Sequence, residues 1–125
     1  MSRGSDAGNA SIAILGGAAV FLAFLAGLAD VGLYFHARAR AQTAADAAAL
    51  AAAAELLPSA TDEPRSQAER FAEANGARLK YCECNDGSTF ASVEVIVPVR
   101  FLLKAGYRTT EVLGRARAEV DPSAF

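Results

Sequence analysis

The residues in this chain that are best suited to catalysis, metal binding or covalent bonding are two cysteines and one histidine. Cys82 and Cys84 are separated by one residue, and His36 lies far from them in the sequence. A zinc site needs about four ligands, which these three residues do not supply. No acid–base or nucleophile set and no nucleotide-binding motif accompanies them. We therefore expect no catalytic site, no metal site and no cofactor.

The Cys82-Glu83-Cys84 sequence leaves three states open for the thiols. Residues i and i+2 of a strand point to the same face, so both sulfurs would lie on one side of it. A bridge between them closes a short ring, and oxidation is permitted outside the cytoplasm. The alternatives are a bridge to a neighbouring subunit and two free thiols.

The first structural element of the chain begins with an uncharged segment. Residues 7–29 carry no charge and lie between Asp6 and Asp30. About 20 apolar residues in a helix span a hydrocarbon core of about 30 Å, and a single segment in lipid must be helical. The segment therefore predicts one transmembrane helix. The alternative is a signal peptide cleaved at Ala29, although the apolar core of a signal peptide is typically only about 7–15 residues long.

The helix is predicted to continue beyond the membrane. An alanine-rich tract follows Asp30, and no proline occurs before Pro58. Because alanine is the strongest helix former, we expect one helix from about residue 11 to residue 57. This divides the chain into a leader at residues 1–9, a transmembrane helix with an alanine-rich stem at residues 10–57, and a small domain at residues 58–125.

The small domain is predicted to hold a short helix and a sheet. Pro64 can open a helix that stops at Asn75 and Gly76. Beyond it, apolar residues recur at every second position in three runs: Leu79 and Tyr81; Val93, Val95, Val97 and Val99; then Val112, Ala116, Ala118 and Val120. We therefore expect an α+β fold with a small three-stranded antiparallel sheet, apolar on one face. Either helix can cover that face.

Two features of the membrane helix are candidates for contacts with other subunits. Small residues let helices approach closely in a membrane, and a set of them recurs on one face: Gly16, Ala19, Ala23, Ala26 and Gly27. Asp30 follows the uncharged segment directly. It either marks the membrane boundary, where a carboxylate costs little, or pairs with a basic residue of a neighbouring subunit.

Charged residues after the membrane helix are the next candidates. The net charge is −2 and no lysine- or arginine-rich run occurs, so we expect no nucleic-acid partner. His36, Arg38 and Arg40 form a basic collar that we expect to contact anionic headgroups. The positive-inside rule compares Arg38 and Arg40 with Arg3 and the amino terminus at the other end of the helix, and this comparison slightly favours a cytoplasmic C-terminal domain.

An apolar loop between the second and third strands is the last candidate. Its apolar residues are Phe101, Leu102, Leu103 and Tyr107. The loop either docks on a neighbouring subunit or the membrane surface, or it folds over the open end of the small core. The sequence supports these two alternatives equally.

The tract from residue 27 to residue 53 resembles a known family. Its sequence, GLADVGLY followed after two residues by ARARAQTAADAAALAAA, is similar to the N-terminal region of TadE/TadG-like proteins of tight-adherence (Tad) pilus and secretion loci. The ANGARL sequence at residues 74–79, Cys82 beyond it, and RARA at residues 115–118 resemble short TadE-like proteins of actinobacterial secretion neighbourhoods. The chain departs from pilins at Ser11, Ile12 and Ala13, where pilins usually carry a glutamate.

The resemblance implies a structural role, and a membrane-anchored enzyme is not expected because the sequence lacks an acid–base or nucleophile set. The resemblance implies a minor pilin or pseudopilin-like subunit, with a single pass through the bacterial cell membrane, a domain outside the cytoplasm and a place in a surface filament. Its partners would be the membrane and pilin-like or secretion-apparatus subunits, or further copies of the chain, with no small-molecule substrate. The alternative is a single-pass accessory or scaffold protein of a secretion system that never enters a filament.

Overall fold

The computed structural model describes residues 5–103, 110–121 and 123, with side chains from residue 8 onward. Two helices and three strands form within these residues: α1 (Ser5–Ala54), α2 (Pro64–Ala74), β1 (Arg78–Glu83), β2 (Phe90–Val99) and β3 (Thr110–Glu119). The strands form one antiparallel sheet in the order β1-β2-β3. This confirms the predicted α+β fold with a long N-terminal helix, a short helix and a three-stranded sheet.

Helix α1 is 50 residues long, which corresponds to about 75 Å at the helical rise. It begins at Ser5, six residues earlier than predicted, since extending an existing helix adds one hydrogen bond for each residue that is ordered. It ends at Ala54 instead of residue 57. The amides of Glu55, Leu56 and Leu57 donate to carbonyls three residues back, which tightens the last turn before Pro58.

The alanine-rich half of α1 covers the sheet. Helix α1 contacts β2, β3 and α2, while α2 contacts β1, so the two helices form one layer over the strands. The core between the layers consists of small residues, and its largest fully buried side chains are Val93 and Val95. The valines predicted to share one face of β2 are all buried in it. The buried residues of α1 are Ala37, Ala41, Ala44, Ala45, Ala48, Ala49, Ala52 and Ala53.

Small side chains allow helix and sheet to approach closely, and Gly114 lies at the closest point. Gly114 takes an inward position of β3, between Val112 and Ala116, and a Cβ atom there would overlap the Ala41 carbonyl of α1. Next to this contact, Nε2 of Gln42 donates hydrogen bonds to Asp46 Oδ1 and to the Arg115 carbonyl, each at 3.0 Å. The stem is therefore fastened to β3 by both packing and a hydrogen bond.

Strand β1 corrects one detail of the predicted alternation. Leu79 pairs with Val95 and Tyr81 with Glu94, so Lys80 is an extra residue between them, as in a β-bulge. The bulge reverses the faces that follow, and Tyr81 is exposed while Cys82 packs against the core. Leu79 and Tyr81 therefore do not share a face. Before β1, Gly76 has a φ of 73° and ends α2 in the left-handed conformation predicted there.

Candidate functional site

The N-terminal half of α1 has no cover within the described chain. By length and composition α1 is a helix that can cross a membrane, and its apolar window contains no residue buried by the rest of the fold. The exposed apolar side chains of residues 8–30 point to all sides of the helix: Ile12, Ile14, Leu15, Val20, Phe21, Leu22, Phe24, Leu25 and Leu28. A surface of this kind is suited to lipid or to neighbouring helices.

The small residues on this segment are divided by their exposure. Gly16, Ala19 and Ala23 are exposed, whereas Ala26 and Gly27 are half-buried. A Cβ atom at Gly16 would meet no other atom within 4 Å. The open part of the small-residue face therefore lies toward the N-terminal end of α1.

Asp30 binds the loop that follows β2. Its Oδ1 accepts a hydrogen bond from the Leu102 amide at 2.6 Å, and its Oδ2 accepts one from the Leu103 amide at 3.0 Å. A carboxylate that accepts two amide donors is a strong, charge-assisted arrangement. Sequence reasoning placed Asp30 at a membrane boundary or in an intersubunit ion pair, and it missed this partner within the chain. Alternation and helical periodicity carry no signal for a contact across 72 residues.

The loop itself is divided between the core and solvent. Phe101 is half-buried and packs against the core, whereas Leu102 and Leu103 are 60% and 64% exposed. Tyr107, the fourth residue predicted in this loop, lies outside the described residues. Each sequence alternative therefore applies to a different part of the loop: Phe101 closes the core, and the two leucines are available for docking.

The basic collar is spread around the helix. His36, Arg38 and Arg40 are all exposed, but successive residues of a helix point about 100° apart. Arg40 extends over the end of α2, where its Cδ would lie 3.5 Å from a Cβ at Gly76. His36 and Arg40 line a shallow cavity of about 330 Å³ there with Asn75. Arg38 points to a different side, so the three residues do not form one patch.

A groove between α1 and β3 was not predicted. It has a volume of about 700 Å³, and Arg38 and Glu111 supply its charges. Its apolar lining comes from Tyr34, Phe35, Val112 and Leu113. Leu113 was the available signal, because it is an exposed apolar residue on a face of β3 that otherwise carries Glu111, Arg115 and Arg117.

On the outer face of the sheet, ion pairs connect the three strands. Glu94 on β2 accepts from Lys80 Nζ on β1 at 2.8 Å and from Arg115 Nε on β3 at 2.8 Å. The hydrogen bond from Lys80, and after it the contacts with Arg115, lower the pKa of the Glu94 carboxyl below its usual value, against some desolvation. This face is polar and solvated, and its charges join the strands to one another.

The two cysteines lie together at the end of β1. Their Sγ atoms are in bonding contact, and their Cα atoms are 5.4 Å apart, within the range of ordinary disulfides. Both residues are half-buried on the side that faces the core. The geometry permits the local bridge, which stays a prediction with a direct chemical test. No group of three or more metal-ligating side chains occurs among the described residues.

Comparison with known protein families finds a match over α1. Residues 8–55 match the Tad family model, described as Flp pilus-assembly TadE/G-like, over almost the whole of α1. No curated protein and no solved structure matches the chain. The matched segment includes both the exposed apolar half of α1 and the alanine-rich half that covers the sheet. Residues 8–55 are therefore similar to the TadE/G-like proteins of Flp pilus assembly, and the one helix in the described chain that is long and apolar enough to cross a membrane lies within them.

Proposed function

We propose that this chain is a minor pilin or pseudopilin-like subunit that acts by assembly. The observation that supports the proposal most strongly is the difference in burial between the two halves of α1. Its alanine-rich half is buried under the chain's own sheet, while its N-terminal half exposes apolar side chains on all sides. The buried half holds the domain, and the exposed half is free to pass from lipid to a bundle of similar helices.

The small-residue face is the proposed contact between these helices. Gly16, Ala19 and Ala23 follow one another at helical spacing and are exposed. Close helix approach in a membrane depends on such residues, because larger side chains hold the backbones apart. Partner subunits with a similar face would pack against this chain without any change in its sheet domain.

The sheet domain is proposed to lie outside the cytoplasm. A cysteine pair in bonding contact supports this placement, because disulfides persist in oxidising compartments and are rare in the cytosol. Protease added to intact protoplasts is then expected to digest the region after residue 57. Protection of this region until the cells are lysed would contradict the proposed orientation.

The experiment that tests assembly is a pair of matched double variants. Ala19→Leu with Ala23→Leu fills the proposed face, whereas Ala18→Leu with Ala29→Leu adds the same volume at exposed positions on another side of the helix. We expect the first pair to reduce co-purification with pilus subunits and recovery in the sheared surface fraction. Equal effects from both pairs would contradict a specific face.

A second candidate is a membrane-resident accessory protein that never enters a filament. The observation that favours it is the bond between Asp30 and the loop, which holds the sheet domain beside the end of the apolar segment. The sheared surface fraction separates the two candidates. An accessory protein would be absent from that fraction and would remain with the cell membrane.

A further inference from the structure

Two exposed leucines are held at a defined level of α1. The backbone amides of Leu102 and Leu103 bind the Asp30 carboxylate, so these residues lie at the height of Asp30 along the helix. Their side chains remain 60% and 64% exposed. The packing of the described residues gives no reason for two adjacent leucines to be presented in this way.

The height of Asp30 follows from the uncharged segment. Residues 7–29 number 23, which is about 35 Å of helix, against a hydrocarbon core of about 30 Å. A helix that uses this segment to cross a membrane has Asp30 at the boundary between acyl chains and headgroups. Leu102 and Leu103 are then at the same boundary, beside the helix.

We propose that residues 101–103 form a membrane-inserted loop, in which Leu102 and Leu103 enter the leaflet on the side of the sheet domain. The ligand is the lipid surface itself: acyl chains for the two leucines, and anionic headgroups for Arg100, which is exposed directly before the loop. The Asp30 carboxylate positions the loop. The proposal rests on α1 crossing the membrane and does not depend on a place in a filament.

The hydrogen bonds of the loop suit this environment. A backbone amide that approaches the hydrocarbon region must find a partner within the protein, because water is scarce there. Asp30 supplies one acceptor oxygen to each of the two amides. The backbone amides of Leu102 and Leu103 therefore each have an acceptor, while the two leucine side chains remain exposed.

The size of the surface favours lipid over a protein partner. A stable protein interface buries roughly 800 Å² on each partner, far more than two leucine side chains provide. Insertion of the loop into lipid does not require a minimum buried area of this kind, because α1 already holds the loop at the bilayer. Exposed apolar residues of α1 continue past Asp30 at Val31, Leu33 and Phe35, so the helix itself is apolar on both sides of the loop along its axis.

The test uses a tryptophan as a depth probe in the full-length chain, which has none of its own. Leu103→Trp is reconstituted in vesicles of mixed neutral and anionic lipid, with bromine on the acyl chains at different depths. We expect a blue-shifted emission and quenching by about half by bromines placed about 5–10 Å below the headgroup boundary, the depth of interfacial insertion. Phe71→Trp, at an exposed position on α2, is the matched control and should not be quenched.

Two further measurements can overturn the proposal. If Leu103→Trp is not quenched at a high protein-to-lipid ratio and becomes quenched only after dilution with excess brominated lipid, the leucines contact a neighbouring chain and the lipid proposal is wrong. If Asp30→Asn leaves the quenching of Leu103→Trp unchanged, the carboxylate does not position the loop. Neither result depends on co-purification with pilus subunits or on the sheared fraction, so this proposal and the assembly proposal can fail separately.

Discussion

The carboxylate of Asp30 and the backbone amide of Leu102 are joined by a 2.6 Å hydrogen bond that spans 72 residues of sequence. With the second bond to Leu103, it connects the helix to the loop between β2 and β3. The domain is therefore attached to α1 at two places: through the alanine core along the stem, and through one carboxylate next to the exposed apolar segment. The second attachment is polar and depends on a single side chain.

Asp30→Ala is expected to release the loop and leave the alanine core intact. Hydrogen bonds to charged groups contribute about 1.5–3 kcal/mol each, and about 1.4 kcal/mol is a factor of ten, so the Leu102 and Leu103 amides should exchange roughly tenfold faster or more. Hydrogen–deuterium exchange of the full chain in detergent measures this. Amides of β2 should keep their protection. Unchanged exchange at residues 102 and 103 would contradict the role of Asp30.

Gly114→Ala is expected to lower the free energy of unfolding of the sheet domain by about 1–3 kcal/mol, the usual effect of overpacking. The added Cβ overlaps the Ala41 carbonyl, which is backbone and cannot rotate away. Gly32→Ala is the control, because its Cβ meets no atom within 4 Å and alanine favours the helix. The strand band in infrared spectra, followed with temperature, reports unfolding of the domain. Equal midpoints for the two variants would contradict the close approach of α1 and β3.

Glu94→Gln is expected to lower the thermal midpoint at neutral pH and to have little effect in acid. The pKa of the Glu94 carboxyl is lowered in the fold, chiefly by Lys80, so its contribution is present above the pKa of the unfolded chain, near 4.5. That contribution is lost as pH falls through the lower pKa of the folded state. Midpoints measured across the acid range check this. Glu119→Gln, which removes one exposed partner of Arg117, should show a smaller effect.

The cysteine pair is expected to resist alkylation in membranes prepared without reductant and to run as a monomer. Cys82 and Cys84 are already in bonding contact, so the local bridge requires no movement of the backbone. Mass spectrometry after alkylation, with and without reductant, counts the free thiols. A reductant-sensitive dimer would indicate an intersubunit bond, and full labelling of both residues would indicate free thiols.

Local sequence patterns were sufficient to predict the helices and strands of this fold. The uncharged segment and the absence of proline before Pro58 predicted one long helix, and alternating valines predicted β2. These features depend on neighbours three or four residues apart in a helix and two apart in a strand, so the periods are visible in the sequence. Asn75 and Gly76 likewise marked the end of α2, because a left-handed residue there favours glycine.

Only the tertiary structure decided how these elements meet. It selected the alanine-rich stem as the main cover of the sheet, because small side chains let the helix come close enough for Gly114 to contact Ala41. It placed the extra residue Lys80 in β1, which exposes Tyr81. It also joined Asp30 to Leu102 and Leu103. Each of these depends on a pairing between residues far apart in the chain, and such a pairing leaves no period in a single sequence.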